Sequence, residues 1–104
     1  MIKGTTPTFL ITIKGNALTN ATPYVTLRQG ALELTKSGEE LVKERGEDSC
    51  VLAVSLTQEE TLKFAHGRAD LQVRWVYADG TAGATAIKPV AVNPVLKQEV
   101  ITHE

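Results

Sequence analysis

Nucleophiles, proton shuttles and metal sites are built from cysteine, histidine, serine and paired carboxylates. This chain holds few of them. Cys50 is the single cysteine, so no intrachain disulfide can form. It opens the apolar run Cys50 to Leu56, which predicts a buried structural thiol. Nothing beside it in sequence is suited to stabilise a thiolate. His66 and His103 are the only histidines; one adjoins a predicted turn and the other lies in the C-terminal segment. Ser37, Ser49 and Ser55 have no histidine and carboxylate at the positions a triad would suggest. Glu59-Glu60 falls in the first turn of a predicted helix, where the helix dipole accounts for the charge without catalysis. Asp70 and Asp79 flank a strand as solvent-facing and turn residues. No glycine-rich Lys-Ser/Thr loop exists to cradle phosphate. The expectation is a protein that is not an enzyme, with no catalytic residue, no cofactor-binding residue, no metal ligand and no cofactor.

The elements that would position any site are strands. In Arg68 to Gly80, Leu71, Val73, Trp75 and Tyr77 share one face of an extended chain. Asp70, Gln72 and Arg74 share the other, with Val76 the apolar exception. A period of two is that of a half-buried strand, which places Trp75 and Tyr77 in the core. Asp79-Gly80 turns the chain, and Gly83 to Val92 returns, after a flexible connection over Gly80 to Gly83. This hairpin is the centre of the predicted fold. On the returning arm Ile87 breaks the parity of Ala84, Ala86, Val90 and Val92. A bulge near Ile87-Lys88 is expected to turn Ile87 inward, with Pro89 at the bulge or on an edge.

Met1 to Pro7 reads as a loose lead-in. Thr8 to Ile13 alternates, with Phe9, Ile11 and Ile13 on one face and Leu10 between the outward Thr8 and Thr12. Ala17 to Pro23 reads as a loop and Tyr24 to Gln29 as a strand. Gly30 reads as a bulge or bend, followed by extended Ala31 to Thr35 and a turn at Lys36-Ser37-Gly38. Glu39 to Lys43 suits a short edge strand guarded by charge, or a helical turn. Glu44 to Ser49 is a solvated loop, and Cys50 to Leu56 a strand. Thr57 with Glu60 three residues on has the spacing of a capping box. It predicts a helix over Gln58 to Lys63, ended by His66-Gly67, bridging two sheets and turning Phe64 inward. Asn93-Pro94 closes the last strand and Val95 to Glu104 is an extended tail.

Six to eight strands with one short helical turn define the expected fold. It is all-β, a single-domain antiparallel β-sandwich with immunoglobulin-like layering and Greek-key connections. A small barrel is the alternative, because periodicity does not report whether sheets close. The sandwich domain is assigned to 1–96 and the C-terminal tail to 97–104. The formal net charge of -1, with basic and acidic residues interspersed, argues against a nucleic-acid partner. No apolar run approaches the roughly 20 residues of a membrane span, and the N-terminus lacks the layout of a signal peptide. No membrane partner is expected, and the cytoplasm is the expected place of synthesis.

Four segments carry a resemblance: Ile2 to Ile13 with its Gly4-Thr5-Thr6 lead-in, Tyr24-Val25-Thr26-Leu27-Arg28-Gln29-Gly30, Leu56 to Phe64, and Val73-Arg74-Trp75 to Gly80. Together they resemble small prophage-encoded proteins of Gram-positive bacteria and the N-terminal β-sandwich of phage baseplate upper proteins. The resemblance spans about Ile2 to Leu96 and rests on strand patterns and one strand-to-helix turn. It implies a structural role in a tail or baseplate, through contacts with itself or with other tail or baseplate subunits. It also implies a location in the host cytoplasm during assembly and then in the virion. It brings no catalytic or ligand residues. A baseplate upper protein continues past this domain into segments that carry its other attachments.

The residues expected to make such contacts are Val95, Leu96, Val100 and Ile101. They extend past the last predicted strand with no sheet position reserved for them. They either fold back across their own sandwich or pair with another subunit. The alternative function is a small binding module that recognises a protein or carbohydrate through loops at one end. Trp75 and Tyr77 would be its aromatic contacts, although their parity with Leu71 and Val73 argues for the core.

Overall fold

Alternating apolar stretches give strands with one face to bury, and two antiparallel sheets result. The computed structural model describes them through residues 1–15, 18–46 and 48–103. In chain order the elements are β1 Thr8–Lys14, β2 Ala21–Gln29, β3 Leu32–Ser37, a 3₁₀ turn Gly38–Glu40, β4 Leu41–Arg45, β5 Ser49–Ser55, α1 Gln58–Leu62, β6 Gly67–Tyr77, β7 Ala82–Ala84 and β8 Lys88–Val92. One sheet has the order β1-β5-β4. The other has the order β3-β2-β6, with β7 and β8 pairing in succession along the far side of β6. The chain changes sheet between β1 and β2, β3 and β4, and β5 and β6. That is the Greek-key connectivity of an immunoglobulin-type sandwich. In the constant-type version of that sandwich the strand in β1's place has a further neighbour; here, among the described residues, β1 ends its sheet.

The inward parity of each strand fills the core. Val25 and Leu27 of β2, Leu52 and Val54 of β5, and Val73 of β6 are buried, as is Cys50 at the start of β5. Leu56 and Phe64, on either side of α1, join the same cluster. Trp75 is half-buried and packs against that cluster. Its indole lies over Gly83, the residue opposite it on β7, where an added Cβ would come within 2.6 Å of the ring. Glycine is therefore required at that position.

Several expectations are corrected. Strand β2 begins at Ala21, inside the segment read as a loop, whose Ala17 lies outside the described residues. Its Pro23 is tolerated because β3 reaches only as far as Tyr24, so Pro23 has a strand neighbour on one side only. Gly30 makes no bulge. With Ala31 it forms the two-residue connection of a hairpin in which Gln29 faces Leu32, and its φ of 58° suits that turn. The polar loop before β5 is shorter than expected, since Glu44 and Arg45 belong to β4; Glu47 lies outside the described residues. Ala82 and Gly83 belong to β7, not to a flexible connection.

The bulge on the returning arm exists, but Ile87 is 58% exposed. Arg74 faces Ala84 and Leu71 faces Lys88, so Gln72 and Val73 oppose the three residues Thr85, Ala86 and Ile87. Thr85 absorbs the extra residue: its N–H donates to the Val73 carbonyl at 2.8 Å and its hydroxyl accepts from the Val73 N–H at 3.1 Å. The parity therefore changes before Ile87, which leaves Ile87 outside and gives Lys88 the inward parity of Leu71.

The lead-in is not loose. Asn93 N–H donates to the Met1 carbonyl at 2.7 Å and Lys3 N–H to the Asn93 carbonyl at 3.0 Å, so this end of β8 is covered by the start of the chain. Pro7 accepts from the Leu56 N–H at 3.0 Å.

Candidate interaction surfaces

Helix α1 starts as its sequence demands. Glu60 N–H donates to the Thr57 hydroxyl at 3.1 Å, and Thr57 N–H donates to Glu60 Oε1 at 2.8 Å, which closes the capping box. Glu60 Oε2 also meets Lys36 Nζ of β3 at 2.7 Å. Burial opposes the charge on this carboxylate, but Lys36 and the Thr57 N–H outweigh it and hold the Glu60 pKa below its ordinary value. Thr61 is fully buried. Its hydroxyl donates to the Thr5 carbonyl at 2.9 Å and accepts from the Gly4 N–H at 2.9 Å. Where an apolar staple would have tied the helix to the preceding chain, a hydroxyl ties it to the lead-in.

The tail runs back along α1. Gln58 Nε2 donates to the Ile101 carbonyl at 3.0 Å, and Ile101 N–H donates to Gln58 Oε1 at 2.8 Å. Val95 is half-buried beside Gly4. The other three residues expected to make contacts stay out: Leu96 is fully exposed, Val100 50% and Ile101 60%. The tail thus folds back on its own domain through polar backbone contacts while most of its apolar side chains face solvent. It joins neither sheet among the described residues.

A second surface lies along β1. Thr8, Leu10, Thr12 and Lys14 point away from the core, and Leu10 is 71% exposed. Leu10 faces Ala53 of β5, and Ala53 faces Val42 of β4, itself 62% exposed. These three form one apolar row across the outer face of the three-stranded sheet. Around the open side of β1, a cleft of about 330 Å³ separates Phe9 and Ile11 from Leu71, Lys88 and Val90 of the other sheet. The sandwich is incompletely closed along this flank.

Among the described residues, those suited to chemistry do not converge. His66 and His103 are exposed in separate segments, and Cys50 is buried. Asp79 is a turn residue, accepting from the Thr81 hydroxyl at 2.6 Å and its N–H at 2.9 Å; these bonds lower its pKa. Asp70 pairs with Arg68 at 3.0 Å on the surface. Among the described residues no three His, Cys, Asp or Glu side chains are placed to hold a metal, and no helix is long and apolar enough to cross a membrane. No family model matches the chain, and no curated protein matches it significantly.

Sequence reasoning missed the β1 flank. The signal was Leu10, an apolar residue on the parity of Thr8 and Thr12. Its meaning depended on which strands end each sheet, and a single strand's pattern does not carry that.

Proposed function

We propose that this chain is a non-enzymatic assembly protein of a phage or prophage tail or baseplate, acting through protein–protein contacts. The observation that carries this reading is the tail. Leu96, Val100 and Ile101 are presented to solvent on an extended segment, attached to α1 chiefly through the Gln58 amide. Apolar side chains on an accessible extended segment suit docking against another subunit. The resemblance of the strand and capping segments to the baseplate upper sandwich supports the tail or baseplate assignment. The test is recovery of tagged chain with tail particles purified after prophage induction. The full chain is expected in the particles, and a chain lacking Val95 to Glu104 is expected to be depleted. Full chain absent from intact particles overturns the assignment.

A binding module is the second reading, and Tyr24 favours it. This aromatic is 39% exposed and borders an open cleft of about 500 Å³ with Thr26, Glu33, Thr35 and Arg74. A sugar ring would stack on Tyr24 and meet polar groups around it. Glycan binding lost in Tyr24→Ala would favour this reading over assembly.

A further inference from the structure

We infer that β1 is a self-pairing edge, and that two copies of this chain join through it into one continuous six-stranded sheet. The inference names a partner for the assembly reading and rests on that reading for its biological use.

An unpaired strand edge presents a row of free N–H and C=O groups, and proteins that remain monomeric guard such edges. Among the described residues, three of the four sheet edges are guarded. Strand β3 carries Glu33 and Lys36, and β4 carries Lys43, Glu44 and Arg45. The β7–β8 edge is broken by the bulge, holds Pro89, carries the charge of Lys88 and is covered near its end by residues 1–3. Strand β1, Thr-Phe-Leu-Ile-Thr-Ile-Lys, has no proline and no bulge, and its only charge is the terminal Lys14.

The free groups can be assigned. Leu56 N–H donates to Pro7, and Gly15 N–H donates to the Asp48 carbonyl at 2.6 Å. These bonds bracket the β1–β5 ladder and place the odd-numbered residues in its hydrogen-bonded pairs. In an antiparallel ladder the intervening residues direct their backbone groups the other way. Thr8, Leu10 and Thr12 therefore offer N–H and C=O to the open side. A two-fold axis at Leu10 sets Leu10 against Leu10 of the partner subunit, and Thr8 against Thr12 of the partner subunit. Each pair joins even to even, so the free groups meet free groups.

Three further observations favour a second copy as the occupant. The pairing extends the apolar row Val42–Ala53–Leu10 into its own symmetry image, so the exposed leucines cover each other. Antiparallel pairing puts the two Lys14 ammonium groups at opposite ends, about 27 Å apart. The half-buried Phe9 and Ile11 of each copy also close the open flank of the other. The footprint bounds the strength. Seven residues of β1 extend about 24 Å, and the molecule is 20 Å through its thinnest dimension. The contact would bury at most roughly 1,000 Å² in total, the lower limit for a specific interface. The dimer is accordingly weak and visible in the micromolar range.

Amide hydrogen exchange and sedimentation test the inference on the full chain. Leu10→Pro removes an outward N–H that makes no bond to β5, together with the leucine side chain at the centre of the row. Two bonds and the leucine contact are lost per dimer, which weakens association by about tenfold or more. Deletion of Val95 to Glu104, which lies along α1 and outside both sheets, should leave the dimer intact. In wild type the Leu10 and Thr12 amides should become protected as concentration rises, while Ile11 and Ile13 stay protected throughout. The exchange pattern needs no variant, so it decides the matter even if Leu10→Pro fails to fold. A wild-type chain that stays monomeric across the micromolar range overturns the inference. So does a dimer without concentration-dependent protection at Leu10 and Thr12, or one lost on tail deletion. Absence from tail particles with the β1 dimer intact would overturn the assembly reading and leave the pairing standing.

Discussion

Thr61 shows how one side chain can hold a junction that no pattern announces. It occupies the helix position where an apolar partner for Leu56 would be expected, and it is fully buried. Its hydroxyl serves the Gly4 N–H and the Thr5 carbonyl at once. Replacing it with valine keeps the volume and strands both backbone groups. An unsatisfied buried group costs about 1–3 kcal/mol. Thr61→Val is therefore expected to lower the denaturation midpoint with no change in strand content. Amides at residues 3–5 should exchange faster, which hydrogen exchange can read directly. An unchanged midpoint would mean that water replaces the hydroxyl without penalty. Thr57 was legible from its spacing to Glu60. Thr61 was not, because its partners lie more than fifty residues away in the chain.

At the scale of elements, Glu60 couples α1 to the five-stranded sheet through Lys36 of β3 while it closes the helix cap. Its pKa is lowered in the folded protein: burial raises it, but Lys36 and the Thr57 N–H together prevail. A carboxyl with a depressed folded pKa contributes stability that is present above its ordinary value, here 4.5. That contribution is lost as pH falls through the lower folded pKa. Stability of wild type should accordingly decline on acidification through this window, and Glu60→Gln should decline less. Parallel acid titrations of the two by circular dichroism would check it; identical profiles would remove Glu60 from the coupling. The strands themselves could be read from sequence because each has a dry face and a wet face, as in β5 and β6. Element ends were less legible. Pro23 sits inside β2 because β3 stops short of it, and Ile87 faces out because Thr85 takes up the bulge two residues earlier. Both outcomes depend on a neighbouring strand.

The whole molecule is a sandwich whose sheets are unequal. The five-stranded sheet has charge or covering chain at both edges, whereas the three-stranded sheet is guarded only at β4. That asymmetry, and not any one residue, makes association through β1 a property of the fold. Anything that binds the folded chain and not the unfolded one raises apparent stability by mass action, and a second copy acts in this way. Above the dissociation constant, each tenfold rise in concentration adds about 0.7 kcal/mol per chain, and the midpoint climbs by roughly 3–5 °C. Wild type should show this rise in thermal scans across the micromolar range, and in Leu10→Pro the rise should begin only at about tenfold higher concentration. The chain lacking Val95 to Glu104 should keep the slope, since the tail lies along α1 and outside both sheets. A flat response in wild type would show that the β1 flank stays open in solution. A slope that disappears with the tail would place the contact on Leu96, Val100 and Ile101 instead.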